Sequence, residues 1–346
     1  MRNDDRLIGI DLIKTFAVAC VVMIHVSAGF ASDAGMIGTT QHALSVVWRC
    51  LCGAAVPLFF MCSGALMLRA EKELSIKKLY LRNVLRLIVA MLVWATFYRL
   101  WNLLVSGEMS VQGIVQALKD VVLFRHEFHL YYIHIMLLVY AFLPVTRAFT
   151  DSASEKLVRY FLLIWFLTGI LYPTLKPYWP FNLVRGFPEQ WAMNMSYSAI
   201  GYTVLGHYLR SRRPSAALGA VLTLGGFAAI LLPTLLVTNA RGELFMDCLG
   251  GMSAPMCVFA AGLFILGLCA GDGLKKARGF VAYMSKASFC IYLVHVFVMR
   301  VLMHYGAHTL LAPVLSIPAM TLAIVAISTA AYWVISRIPV LRRWII

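Results

Sequence analysis

Runs of apolar residues about twenty long, broken by short polar stretches, set the pattern of this chain. A helix rising about 1.5 Å per residue needs roughly 20 residues to cross about 30 Å of hydrocarbon. Stretches of that length fall at about 8–30, 44–68, 80–104, 128–149, 156–175, 189–210, 214–238, 248–271, 281–304 and 310–336. No connection between them exceeds roughly 25 residues. The pattern therefore predicts an all-α, polytopic transmembrane helical bundle of about ten spans, a single domain over residues 1–346. Any site has to be built from helices and their short loops. No internal repeat or low-complexity tract interrupts the pattern.

Composition agrees with lipid as the solvent: 61% of residues are hydrophobic and 13% charged, and the mean hydropathy is +0.81. The net charge of +15 raises nucleic acid as a partner, but the placement of the charges argues against it. Arg2, Arg6, Arg69, Lys72, Lys77, Lys78, Arg82, Arg147, Lys156, Arg159, Arg210, Arg212, Arg213, Lys275, Lys276, Arg278, Lys286, Arg337, Arg342 and Arg343 fall on one side. Opposite loops hold Lys119, Arg125, Lys176, Arg185 and Arg241. An excess of basic loops marks the cytoplasmic face, so both termini are expected there. The first apolar run is too long for a secretory signal and shows no small-residue cleavage site, and it is expected to be a retained span. The cysteines lie inside predicted helices with no CxxC pair, which argues against a disulfide framework or a structural zinc site.

Ionisable groups inside spans cost several kcal/mol unless paired or wet, so each is a candidate for function. The first span carries Asp11 and Lys14, three residues apart and able to touch across one turn. His25 follows Lys14 by eleven residues. At 100° each these make about three full turns, so Lys14 and His25 project from one face roughly 16 Å apart. In the second span Pro57 frees a backbone carbonyl one turn earlier, and Ser63-Gly64 permits close backbone approach. That combination fits a helix kinked around a cavity or simple tight packing. Arg82 and Arg86 open the third span one turn apart, beside Lys77 and Lys78, a cluster suited to phosphate groups or to anionic lipid heads. The fourth span begins near His126, Glu127, His129, Tyr131, Tyr132 and His134; these match no standard zinc signature, and no metal is expected. Tyr292 and His295 share a face of the ninth span.

Taken in order, these motifs resemble the acyltransferase-3 family of membrane O-acyltransferases, with a layout similar to its enterobacterial-common-antigen O-acetyltransferase branch. Ile10-Asp11-Leu12-Ile13-Lys14 and His25 correspond to the family's Ile-Asp-x-x-Arg-x10-His run, with lysine in place of arginine. Val56 to Phe60 with Ser63-Gly64, the pair Arg82 and Arg86, His129 to Tyr132, and Ser288 to His295 match further motifs. Lys14 lacks arginine's planar fork, and Arg82-x3-Arg86 is wider than the family's usual Arg-x-x-Arg.

The resemblance implies transfer of an acyl group, usually acetyl, from cytoplasmic acetyl-CoA to a sugar hydroxyl of a lipid-linked or cell-surface polysaccharide, at a bacterial inner membrane. It implies His25 as general base or acyl acceptor, and a donor side of Lys14, Arg82, Arg86 and Asp11. It implies an acceptor side of His129, Tyr131, Tyr132, Tyr292 and His295, with Tyr202 as a further stacking surface. Pro57, Ser63 and Gly64 would be structural. Acetyl-CoA would be a substrate and no permanently bound cofactor is expected; the partners would be membrane lipid, acyl-CoA and the glycan. Two other readings stay open: a transporter of a small solute or lipid-linked sugar using Asp11, Lys14 and His25 as its ion path, and a haem protein ligated by His25, His134 or His295.

Overall fold

The computed structural model describes residues 8–69, 74–184, 186–274 and 276–346. Arg2, Arg6, Lys72, Arg185 and Lys275, counted above in the charge pattern, lie outside the described residues. Among those described there is no strand, and the long helices are α1 (Ile8–Ala31), α2 (Thr40–Cys52), α3 (Ala55–Met67), α4 (Ile76–Ser106), α5 (Val111–Val122), α6 (Tyr131–Ser152), α7 (Glu155–Leu175), α8 (Met195–Arg212), α9 (Ala216–Arg241), α10 (Ala254–Ala270), α11 (Arg278–His304) and α12 (Pro313–Ile335), followed by the short α13 (Pro339–Trp344).

Among the described residues, eight stretches are long and apolar enough to cross a membrane: α1, α2 with α3, α4, α6 with its preceding turn, α7, α9, α11 and α12. The remaining two expected spans are helices as well. However, α8 begins at Met195 rather than near 189, and α10 begins at Ala254 rather than near 248. In both places a polar residue sets the start, Asn194 capping the Ser196 N–H at 2.9 Å and Ser253 preceding Pro255. Similar caps begin α2 at Thr39, α7 at Ser154 and α9 at Ser215.

The second expected span is two helices. Pro57 has no N–H to give the Gly53 carbonyl one turn back. The helix accordingly breaks at Gly53-Ala54 and restarts with Leu58 N–H donating to the Ala54 carbonyl at 3.0 Å. One element had no counterpart among the expected spans. In α5 Ala117 and Val121 are buried, while Val111, Val115, Leu118 and Val122 form an exposed apolar stripe, the signature of a helix lying along a surface.

Helix α1 sits at the centre, packed on α2, α3, α10, α11 and α12. Small residues set the closest crossings. A Cβ at Gly64 would lie 1.8 Å from the Thr203 carbonyl oxygen, and one at Gly206 would lie 2.1 Å from that of Met61. The α3–α8 contact is therefore nearly backbone on backbone, as membrane helices allow when side chains are removed from the crossing. Gly64 thus serves packing. Pro57, buried beside Gly251, sits behind the bend it creates.

Candidate functional site

Between α1, α3, α4, α6 and α11 lies a cavity of about 1740 Å³. That exceeds the roughly 300–1,000 Å³ of ordinary small-molecule pockets and leaves room for two reactants. Its polar lining is one-sided in charge. Lys14, Arg49, Arg82, Arg86, Arg342 and Arg343 face it, and no carboxylate among the described residues does. Like charges in a low-dielectric enclosure repel one another unless water or anions offset them.

One end of the cavity is built by the basic side of the protein. Lys14 projects from the second turn of α1 and donates to the Ser285 carbonyl of α11 at 3.1 Å. Arg82 lies in a π-helical stretch of α4, Leu79–Val84, whose wider turn changes the angle at which the following residues leave the helix. Arg86 follows, its guanidinium 5.7 Å from the Phe289 ring centroid and donating to the backbone oxygen of Ile346. Arg342, Arg343 and Trp344 of α13 close this end.

Further in, the wall is aromatic and imidazole-rich. His25 is half-buried and lines the cavity. Its ring stacks on His295 with centroids 5.1 Å apart and meets the Phe128 edge at 5.2 Å. His295 is fully buried, and its Nδ1 lies 2.6 Å from the Tyr292 carbonyl. A carbonyl only accepts, so Nδ1 carries the hydrogen and Nε2, which has no partner, keeps its lone pair. The His129 ring lies 5.4 Å from that of His295 and 5.9 Å from Tyr292, with both nitrogens buried and unpartnered. Tyr292 donates to the His129 carbonyl at 2.5 Å, tying α11 to the start of α6. Tyr132 packs 5.4 Å from both Phe60 and Tyr292.

The structure therefore brings Lys14, Arg82, Arg86, His25, His129, Tyr131, Tyr132, Tyr292 and Ser63 to one cavity. Asp11, His295, Pro57, Gly64 and Tyr202 are not among its lining residues. Tyr202 is buried against Trp165 and donates to the Gly251 carbonyl at 2.7 Å. His295 stands behind the lining, its ring beside those of His25, His129 and Tyr292.

Sequence reasoning passed over Arg49, Arg342, Arg343 and Trp344 as site residues. Arg49 was accessible to it, since it is an ionisable group inside the second apolar run. It faces the cavity as an electrostatic neighbour of His25 and Tyr131. Arg342 and Arg343 counted only as side-determining charges, because nothing local says that α13 folds back over the helix ends.

The histidines at the start of α6 are held separately. His126 Nε2 lies 3.0 Å from His134 Nε2, and Glu127 accepts from Arg300 at 2.6 Å and from Asn102 at 2.9 Å. No group of three His, Cys, Asp or Glu residues among those described is arranged to hold a metal ion.

Fold and site together define a polytopic membrane protein with a buried basic cavity that carries an imidazole on its inner wall. Residues 7–333 match the acyltransferase domain model of the family that the motifs resembled, and the chain belongs to the acyltransferase-3 family of membrane acyltransferases. Comparison with curated proteins and with solved structures finds no match.

Proposed function

We propose that this is an O-acyltransferase of the enterobacterial-common-antigen layout, crossing a bacterial inner membrane ten times with both termini in the cytoplasm. It moves an acyl group, acetyl being the expected one, from cytoplasmic acyl-CoA to a sugar hydroxyl of a lipid-linked or cell-surface polysaccharide. One observation carries the reading: a basic cluster of Lys14, Arg82 and Arg86 and the half-buried imidazole of His25 line the same cavity.

The donor's phosphates rest on Lys14, Arg82 and Arg86, whose charges match them, and the thioester extends inward to His25. The neutral imidazole takes the proton of the acceptor hydroxyl as its oxygen attacks the thioester carbonyl. A carbon–oxygen bond forms, and Arg49 stabilises the negative charge that gathers on the carbonyl oxygen. When the carbon–sulfur bond breaks, the CoA thiolate leaves and receives the proton from His25. His295, stacked behind, positions the His25 ring. Tyr131, Tyr132, Tyr292 and His129 form the acceptor wall.

The test is acyl transfer by protein in lipid nanodiscs supplied with radiolabelled acetyl-CoA and glycan acceptor extracted from the native membrane. His25→Ala is expected to lower transfer by about a hundred- to ten-thousand-fold, as for loss of a general base. Thermal stability should stay that of the native protein. Transfer at the native rate by the folded variant would overturn the assignment.

A further inference from the structure

The wall at the basic end of the cavity comes from an unexpected place. Helix α13 folds back so that Pro339, Arg342, Arg343 and Trp344 face the same space as Arg82 and Arg86. Two bonds from α4 hold it there: Trp94 Nε1 donates to the Ile345 carbonyl at 3.1 Å, and Arg86 donates to the backbone oxygen of Ile346. Ile346 is itself buried in a cluster with Val18, Ile291 and Ile324, which pins the end of the segment between three long helices. The segment is thus anchored by Ile345 and Ile346, while Arg342 and Arg343, its charged face, are exposed and line the cavity.

That face is uncommitted. Arg342 and Arg343 are exposed and make no ion pair with a described residue, and neither does Arg82. Trp344 is half-buried at the cavity edge with the Arg343 guanidinium 5.0 Å from its ring centroid. Guanidinium groups beside an indole face suit a ligand with both phosphate and a flat heteroaromatic ring, because the first pairs with the fork and the second stacks. Three guanidinium groups from α4 and α13 without a carboxylate partner call for more than one phosphate.

We propose that α13 forms half of a binding site for the nucleotide end of the acyl donor. Arg342 and Arg343 grip phosphate opposite Arg82, and Trp344 stacks on the adenine. This rests on the donor assignment above and adds residues and a ligand part to it. The pantetheine arm runs inward past Lys14, and the nucleotide stays at the mouth. An anionic lipid headgroup offers the same phosphate chemistry to the same arginines, so the test separates the two sources.

Binding of CoA, dephospho-CoA and pantetheine would be measured by calorimetry on the full protein in nanodiscs of phosphatidylcholine alone and with phosphatidylglycerol added. The native protein should bind CoA far more tightly than pantetheine in both lipids. Arg342→Gln with Arg343→Gln should weaken CoA about a hundredfold, roughly tenfold for each lost charge-assisted contact. Pantetheine binding should not change. Trp344→Ala should weaken CoA and dephospho-CoA alike. Arg337→Gln serves as a control for loss of a nearby charge, since that guanidinium covers Trp333 at 3.5 Å away from the cavity, and it should bind as the native protein does.

An unchanged preference for CoA over pantetheine in the folded double variant would overturn the inference while leaving the donor assignment intact. So would a loss seen only when phosphatidylglycerol is present, which would give the arginines to the lipid. A native protein that binds neither CoA nor pantetheine would instead overturn the donor assignment itself.

Discussion

Arginines in this protein are held in two opposite ways. Arg300, near the far end of α11, is held by a set of partners: it donates to Glu127 at 2.6 Å and to Asn102 at 3.1 Å, Asn102 donates on to Glu127 at 2.9 Å, and the guanidinium lies 5.9 Å from the Tyr98 ring centroid. Around the cavity, Arg49, Arg82, Arg342 and Arg343 have no carboxylate partner among the described residues. A charge removed from water needs compensation, and the protein supplies it to Arg300 but leaves the cavity set to be compensated by what enters. The first arrangement fastens helices together; the second, on the proposed reading, keeps affinity in reserve for anions. An arginine's position in a span says that it matters, and its partners say for what.

That contrast predicts opposite responses to removing one group from each region. Arg49→Gln should lower acyl transfer by about a hundred- to a thousandfold, the usual cost of losing a donor aimed at developing negative charge, with the melting temperature unchanged. Transfer rate and thermal unfolding measured on one preparation check this. A folded variant with native rates would remove Arg49 from the chemistry, and a large loss of stability would show that it too is a structural cation.

Glu127→Ala should do the reverse, leaving Arg300 and Asn102 without their acceptor. Breaking a buried pair typically costs 3–5 kcal/mol, but the Arg300 side chain is 35% exposed, so screening by solvent brings the expected loss of stability to about 2 kcal/mol. Acyl transfer by the fraction that remains folded should stay within a few-fold of native. The double variant Glu127→Ala with Arg300→Ala should recover part of the stability, because no unpaired charge is then left behind. If Glu127→Ala abolished transfer without touching the melting temperature, the division between the two regions would fail.

How much of this was legible in the chain depends on the range of the interaction. Long apolar runs are local and placed the eight membrane-crossing stretches and helices α8 and α10 within a few residues, except that Asn194 and Ser253 moved two starts inward. Pro57 pointed to a kink or to tight packing, and the structure has a break between α2 and α3 because the missing N–H acts one turn away. Helix α5 was missed through a search for uniform hydrophobicity, although Val111, Val115, Leu118 and Val122 repeat at helical spacing. Lys14 and His25 were found because they share one helix face. The stacking of His295 on His25, the approach of His129 and the return of α13 to Arg86 join segments far apart in the chain, the last of them 260 residues apart. No local pattern encodes such contacts, so His295 was expected in the cavity wall and instead lies behind it.

The smallest predicted effect tests whether the far side is structural in its polar contacts as well as its charges. His126 lies just before the α6 span and is part-buried against His134 and the Glu127 backbone. With Nδ1 facing that carbonyl at 3.4 Å, His126 presents the lone pair of Nε2 to the Nε2 hydrogen of His134 at 3.0 Å. The contact needs the His126 ring neutral, since only then does its Nε2 keep a lone pair. Burial, opposed only in part by the Glu127 carbonyl, holds the His126 imidazole below its ordinary value of 6.5. The unfolded chain therefore binds a proton before the folded one does, and stability falls as pH drops through the region just below 6.5, the loss levelling off once the folded ring also charges. His126→Gln keeps a polar side chain without a titrating ring and should flatten that slope. Melting temperatures between pH 8 and 5 measure it, as the difference between native and variant, which cancels the contributions of the histidines other than its partner His134. Superimposable slopes would show that the His126–His134 contact adds nothing to the folded state, and the fastening role would then rest on the Arg300–Glu127–Asn102 cluster.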